Sequence, residues 1–268
     1  MSTGYVDLPV TGGGGGTWGS ITGDIADQTD LQDALDAKEA IYDWDINPDR
    51  QFVFFTDFIE NDRAGLTVAA NVGGGTGQAV NNDTTTLLNT TENCIGNVNF
   101  ALGTGTTARL SIFSSGLLVF GTAALEYGVR HAIDVVSDAT NAYTSYLGFF
   151  DAPGAGDATD GAYFRYTHSV NSGRWEAVVA DGGVRTPLDT GVSPTGNIMQ
   201  VFRIVVNSAG TQALFYIDGS LVATHNSGLP GAGDFTLWCN KIEKSAGTTS
   251  RAMILDWAYL KATRTTAR

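Results

Sequence analysis

From Asn47 onward the chain shows no helical periodicity, and this constrains the fold more than any other feature. Short apolar runs recur instead: RQFVFFTDF, ARLSIF, GLLVFG, VRHAIDVV, SYLGFFD, AYFRYTH, RWEAVVA, QVFRIVVN, QALFYIDG, LVATHN, DFTLWCNKI and AMILDWAYLKA. Between them stand NSG at 171–173, DGG at 181–183, NSAG at 207–210 and DGS at 218–220. Asn, Asp and Gly supply the positive φ angles that tight hairpins need. So many runs with no crossover helix predict a mainly β chain, an antiparallel β-sandwich over residues 47–268. Many runs are apolar at both parities, as in FRIVV, so alternation alone does not assign their faces. Trp238 and Trp257 sit inside such runs and are expected in the core. The Gly-, Thr- and Asn-rich segment Gly73–Gly105 is expected to hold short edge strands and long loops.

Composition supports one large core and excludes several partners. Of 268 residues, 43% are hydrophobic and only 16% charged, which suffices for a sizeable interior. The net charge is −13. A nucleic-acid groove needs a basic stripe, and no Lys/Arg cluster occurs, so no nucleic-acid partner is expected. No apolar run reaches bilayer length, and no membrane insertion is expected. The first residues lack a basic start followed by an apolar stretch, so a signal peptide is not expected and folding in a cytoplasm is. Cys94 and Cys239 form no disulfide framework; they read as two buried thiols or as one bridge.

Ahead of the strands lie two different segments. Residues 1–16 place Tyr5, Val6, Leu8 and Val10 before five glycines. They read either as a disordered tail or as an anchor peptide that orders on a partner, with the glycines as a loose joint. Residues 17–46 contain a predicted helix over Thr29–Ile41. Thr29 and Gln32 fit a capping box, and Asp30 and Asp33 suit the positive end of the helix dipole. Leu31, Ala34, Leu35, Lys38 and Ile41 then share one narrow face. A helix of about 13 residues is marginal alone, so this stripe needs a partner surface. It lies either on the following domain or against identical copies around an axis.

Two segments carry a family resemblance. GGGGGTWGSITGDIADQTDLQDALDAKE resembles a segment of bacteriophage tail fibres and related virion proteins, through Trp18, Gly19, Ile21, Gly23, Asp27, Gln28, Asp30, Leu31, Ala34, Leu35 and Lys38. The resemblance implies a homotrimeric virion fibre, attached through its N-terminus and assembled in a bacterial host cytoplasm. FRIVVNSAGTQALFYIDGSLVATHNSGLP resembles a hairpin unit of concanavalin A-like jelly rolls of the laminin G or legume-lectin type. That implies a lectin-like head which meets a host surface polysaccharide. Capsid decoration and glycan depolymerisation are the alternatives.

The residues themselves argue against catalysis. The Glu-x-Asp-x-x-Glu strand of retaining laminarinase-like enzymes is absent, as is a Gln-x-His strand. His131, His168 and His225 lack any metal-ligand spacing, and no Gly-x-Ser-x-Gly turn occurs. Binding has two candidate sites. The loop DAPGAGDATDGAYFRY brings Asp151, Asp157 and Asp160 close in sequence; it is either a solvated acidic loop or a Ca²⁺ site. Tyr163, Tyr166 and Trp175 lie near the same loop and read either as core or as rings that stack on a pyranose.

Overall fold

The computed structural model describes residues 51–56, 66–71, 80–81 and 98–265. The predicted helix, the anchor residues, the proposed trimer stripe and Cys94 all lie outside the described residues. The compact unit that holds the strands spans Asn47–Arg268. Among the described residues there are fifteen strands and no helix. They are β1 (Gln51–Thr56), β2 (Leu66–Asn71), β3 (Val80–Asn81), β4 (Val98–Leu102), β5 (Arg109–Ser114), β6 (Ala124–Ile133), β7 (Tyr143–Phe150) and β8 (Gly161–Tyr166). There follow β9 (Glu176–Asp181), β10 (Val184–Asp189), β11 (Gln200–Val206), β12 (Ala213–Ile217), β13 (Ser220–His225), β14 (Leu237–Lys244) and β15 (Arg251–Thr263).

The strands form two antiparallel sheets, the sandwich that the turn pattern predicts. One runs β13-β12-β11-β6-β15-β4-β3, with β1 also on β15; the other runs β10-β9-β8-β7-β14-β5-β2. The 13-residue β15 pairs with β6 along one edge. Its other edge is shared between β4, at Arg251–Leu255, and β1, at Ala258–Thr263.

Inward-facing aromatics fill the space between the sheets. Trp175, Phe202 and Phe164 pack edge to face, at centroid distances of 4.7 Å and 5.1 Å. Trp238, Tyr127 and Phe149 form a second group, in which the Tyr127 hydroxyl donates to Asn240 across the sheets. Edge-to-face contacts of this kind add to the stabilisation from burial itself.

The turns follow the sequence closely. Asp218–Gly219 and Gly182–Gly183, all at positive φ, join β12 to β13 and β9 to β10 as two-residue hairpins. Asn171, Ser172 and Gly173 also take positive φ between β8 and β9. The run GLLVFG is a correction: it forms no strand, only a single bridge between Leu118 and Thr236. Gly121 there turns the chain at φ 85°, and Leu117 is exposed. Conversely VRTPLD, which offers no apolar run, forms β10 at an edge, where Pro187 is tolerated. The short β3 lies at the other sheet's edge, within the segment where short edge strands are expected. Cys239 is a buried free thiol, and burial pushes its pKa well up.

Candidate functional site

The loop between β7 and β8, residues 151–160, folds back over the outer face of the seven-stranded sheet. It covers a small apolar cluster of Tyr146, Phe150, Tyr163, Val178, Ala180 and Cys239, to which Ala158 from the loop belongs. Lys241, in the middle of β14, holds the loop down. Its side chain is 0% exposed. Its ammonium donates to the carbonyls of Ala152 at 3.3 Å, Gly154 at 3.0 Å and Gly156 at 2.5 Å. It also sits 4.2 Å from the Tyr146 ring centroid, a cation–π contact in a desolvated place. Burial pushes the Lys241 pKa down, while Glu243 at 3.7 Å opposes that shift. Glu243 further accepts from the Gly156 amide at 2.9 Å, and Ser111 donates to the Pro153 carbonyl at 2.8 Å.

Beside this loop a shallow cleft of about 350 Å³ opens on the sheet, lined by Thr144, Tyr146, Gly156, Asp157, Arg165 and Thr167. Arg165 is its fixed centre. Its Nη1 meets Asp157 at 2.7 Å and its Nε meets Glu176 at 2.9 Å. Burial opposes the guanidinium charge, but the Glu176 and Asp157 carboxylates outweigh it and raise the Arg165 pKa. Tyr146 donates to Asp157 at 2.9 Å, and Asn171 donates to Glu176 at 3.2 Å. The cleft therefore presents charged groups whose orientation is set before any ligand arrives.

The three loop aspartates do not act together. Asp151 closes the loop, accepting from the amides of Thr159 at 2.9 Å and Asp160 at 3.2 Å. Asp157 is taken up by Arg165, Tyr146 and, at 3.7 Å, Arg185. Asp160 instead turns to Asp181 and Asp234, and one oxygen from each of these three lies within 4.8 Å of the others. Burial first, then the neighbouring Asp234, Asp151 and Asp181 charges, raise the Asp160 pKa, although its acceptance from the Gly182 amide works against this. Three convergent carboxylates suit a hard cation such as Ca²⁺. The sequence hides two of them: Asp181 reads as a turn residue in DGG, and Asp234 lies 74 positions beyond Asp160.

The aromatic candidates are core residues. Trp175 and Tyr166 pack inside the sandwich, and Tyr163 lies under loop 151–160; all three are buried. None presents a ring face to solvent, because strands β8 and β9 lie in the interior of the sheet and both of their faces are covered. Trp238 is in the core as expected, whereas Trp257 is on the outer face of the other sheet, half-buried and stacked near-parallel with Tyr259.

Comparison with known proteins gives the fold a family. Comparison with curated proteins finds no match. Among solved structures, the protein of unknown function SO2946 from Shewanella oneidensis MR-1 is similar, with TM-score 0.57 and 12% identity, over 82% of this chain and 89% of that one. The Emp47p carbohydrate recognition domain is similar with TM-score 0.52 and 9% identity, over 81% and 96% of the two chains. Peanut lectin with a nine-residue peptide is similar with TM-score 0.52 and 8% identity, over 81% and 99%. At such identities these likenesses show the fold alone, a lectin-type jelly roll. Residues 93–256, more than half of the sequence, match the SO2946-like C-terminal domain, and the chain belongs to that family.

Proposed function

We propose that this protein recognises saccharides on a bacterial surface through the cleft beside loop 151–160, as the head of a trimeric fibre on a tailed-bacteriophage virion. The cleft carries the reading. It sets a guanidinium, a carboxylate and a phenol in fixed places around an open floor, with Thr144 and Thr167 on its walls and the buried Glu176 holding the guanidinium from behind. Sugar hydroxyls both donate and accept, so pre-oriented ionic pairs suit them. The virion assignment rests on the resemblance of residues 12–39 to phage fibres. In such a fibre Tyr5, Val6, Leu8 and Val10 attach to the particle, and Leu31, Ala34, Leu35, Lys38 and Ile41 gather three copies. Three weak sites on one fibre gain effective concentration without tight single contacts. Binding is favoured over hydrolysis because Arg165 engages both Asp157 and Glu176, so these carboxylates are aimed at the guanidinium and not at a bound sugar. The Asp160, Asp181 and Asp234 carboxylates suit a structural Ca²⁺ behind the same loop.

The test is a panel of bacterial capsular and O-chain polysaccharides titrated with the full chain. At least one binds, and Thr144→Arg, which fills the cleft from its wall, weakens it at least tenfold. A panel with no binder, or a binder indifferent to Thr144→Arg, contradicts the reading.

A further inference from the structure

The opposite face of the molecule carries an aromatic surface. On the outer side of the eight-stranded sheet, one cross-strand row reads Tyr216, Arg203, Gly128, Tyr259 and Phe55, on β12, β11, β6, β15 and β1 in turn. At roughly 4.8 Å between strands this row extends about 19 Å, the reach of an oligosaccharide rather than a single sugar. Gly128 keeps the middle of the row flat. A Cβ there would stand 2.0 Å from the Tyr259 ring, so that ring lies directly on bare backbone. Trp257, from the neighbouring row, lies nearly parallel to it, at 18° and 5.9 Å between centroids. Arg203 lies over the Tyr216 ring at 5.0 Å, and Phe55 is 46% exposed.

The carboxylates around these rings are already paired. Glu126 accepts from Arg203 and from the Tyr259 hydroxyl, both at 2.6 Å, and Asp256 pairs with Arg130 at 2.6 Å. The face is therefore flat and aromatic, with both of its carboxylates held in ion pairs, on a chain of net charge −13. A polyanion is repelled by such a chain. A neutral polysaccharide is not: its pyranose rings have apolar faces that lie on aromatic rings, and its hydroxyls meet the rigid ion pairs at the edge.

We propose that this aromatic face of the eight-stranded sheet is a second binding site, for a neutral polysaccharide chain laid across the strands from Tyr216 to Phe55. With the cleft on the other sheet, one head then holds glycan on both of its sides. The site stands or falls independently of the cleft, because the two share no residue.

The experiment is affinity electrophoresis of the full chain in gels that contain hydroxyethyl cellulose, laminarin or dextran. At least one polymer retards the protein. Trp257→Ala and, separately, Phe55→Ser reduce that retardation at least fivefold with the melting transition retained. Phe55→Ser removes an exposed ring and keeps the test valid should Trp257→Ala fail to fold. No retardation by any of the three polymers, or retardation that survives both substitutions, overturns the site. A change in sedimentation coefficient on Phe55→Ser also overturns it, because the face is then a contact between copies.

Discussion

Single buried polar residues set how this protein responds to its surroundings. His131 lies between Trp175 and Phe202, with its Nε2 buried and without a hydrogen-bond partner. Burial lowers its pKa to about 3, whereas the unfolded chain titrates near 6.5. Between these values the unfolded state binds more protons, so stability is full above about pH 6.5 and falls as the pH drops toward 3. The slope from this residue is about 1.4 kcal/mol per pH unit. His131→Phe is expected to flatten the acid limb of a urea-unfolding series between pH 6.5 and 4; an unchanged limb assigns the acid sensitivity elsewhere. Asp160 behaves in the opposite sense. Its raised pKa means that its charged form is disfavoured in the fold, and that cost is felt as the pH rises. A divalent cation relieves such crowding, so adding Ca²⁺ is expected to raise the melting temperature of the wild type and not of Asp160→Asn.

The strands and loops show where the sequence is legible and where it is not. Hairpins were readable because Asp218–Gly219 and Gly182–Gly183 need positive φ and announce it chemically. Trp257 leaves the core side because of a bulge. In β15, Met253 and Leu255 face the core, but the register shifts between Leu255 and Trp257, and Ala258 and Leu260 then take the core side. Asp256 is the extra residue. It turns Trp257 outward, and alternation in AMILDWAYLKA gives no warning of it. Exposed β10 leaves no apolar signal in the sequence, because an edge strand that rests on its neighbour needs no apolar run. The cleft is partly legible: the acidic loop and Arg165 lie in one stretch of sequence, but Lys241 comes from β14 and meets the loop only in three dimensions. Lys241→Met tests that loop. It leaves three carbonyls without their donor, at a cost on the order of 2–4 kcal/mol, and the amides of 152 and 154–160 are expected to exchange at least tenfold faster. Unchanged exchange there means that the apolar cluster beneath holds the loop by itself.

At the scale of the whole molecule, the jelly roll supplies two broad sheet faces, and in the proposed fibre the sequence ahead of it groups three copies. The proposed fibre requires that three copies associate through residues 29–41. Light scattering of the full chain is expected to give the mass of three chains, and Leu31→Asp with Leu35→Asp the mass of one. A wild-type monomer removes the trimer while leaving the head's binding sites untouched. Saccharide recognition by the cleft beside loop 151–160 is the central proposal, and hydrogen exchange of the full chain with and without a bound capsular oligosaccharide tests it most directly. It predicts slowed exchange at Gly156, Asp157 and the adjoining Thr144 strand when the sugar is present. Binding that leaves those amides unchanged and protects residues elsewhere contradicts it.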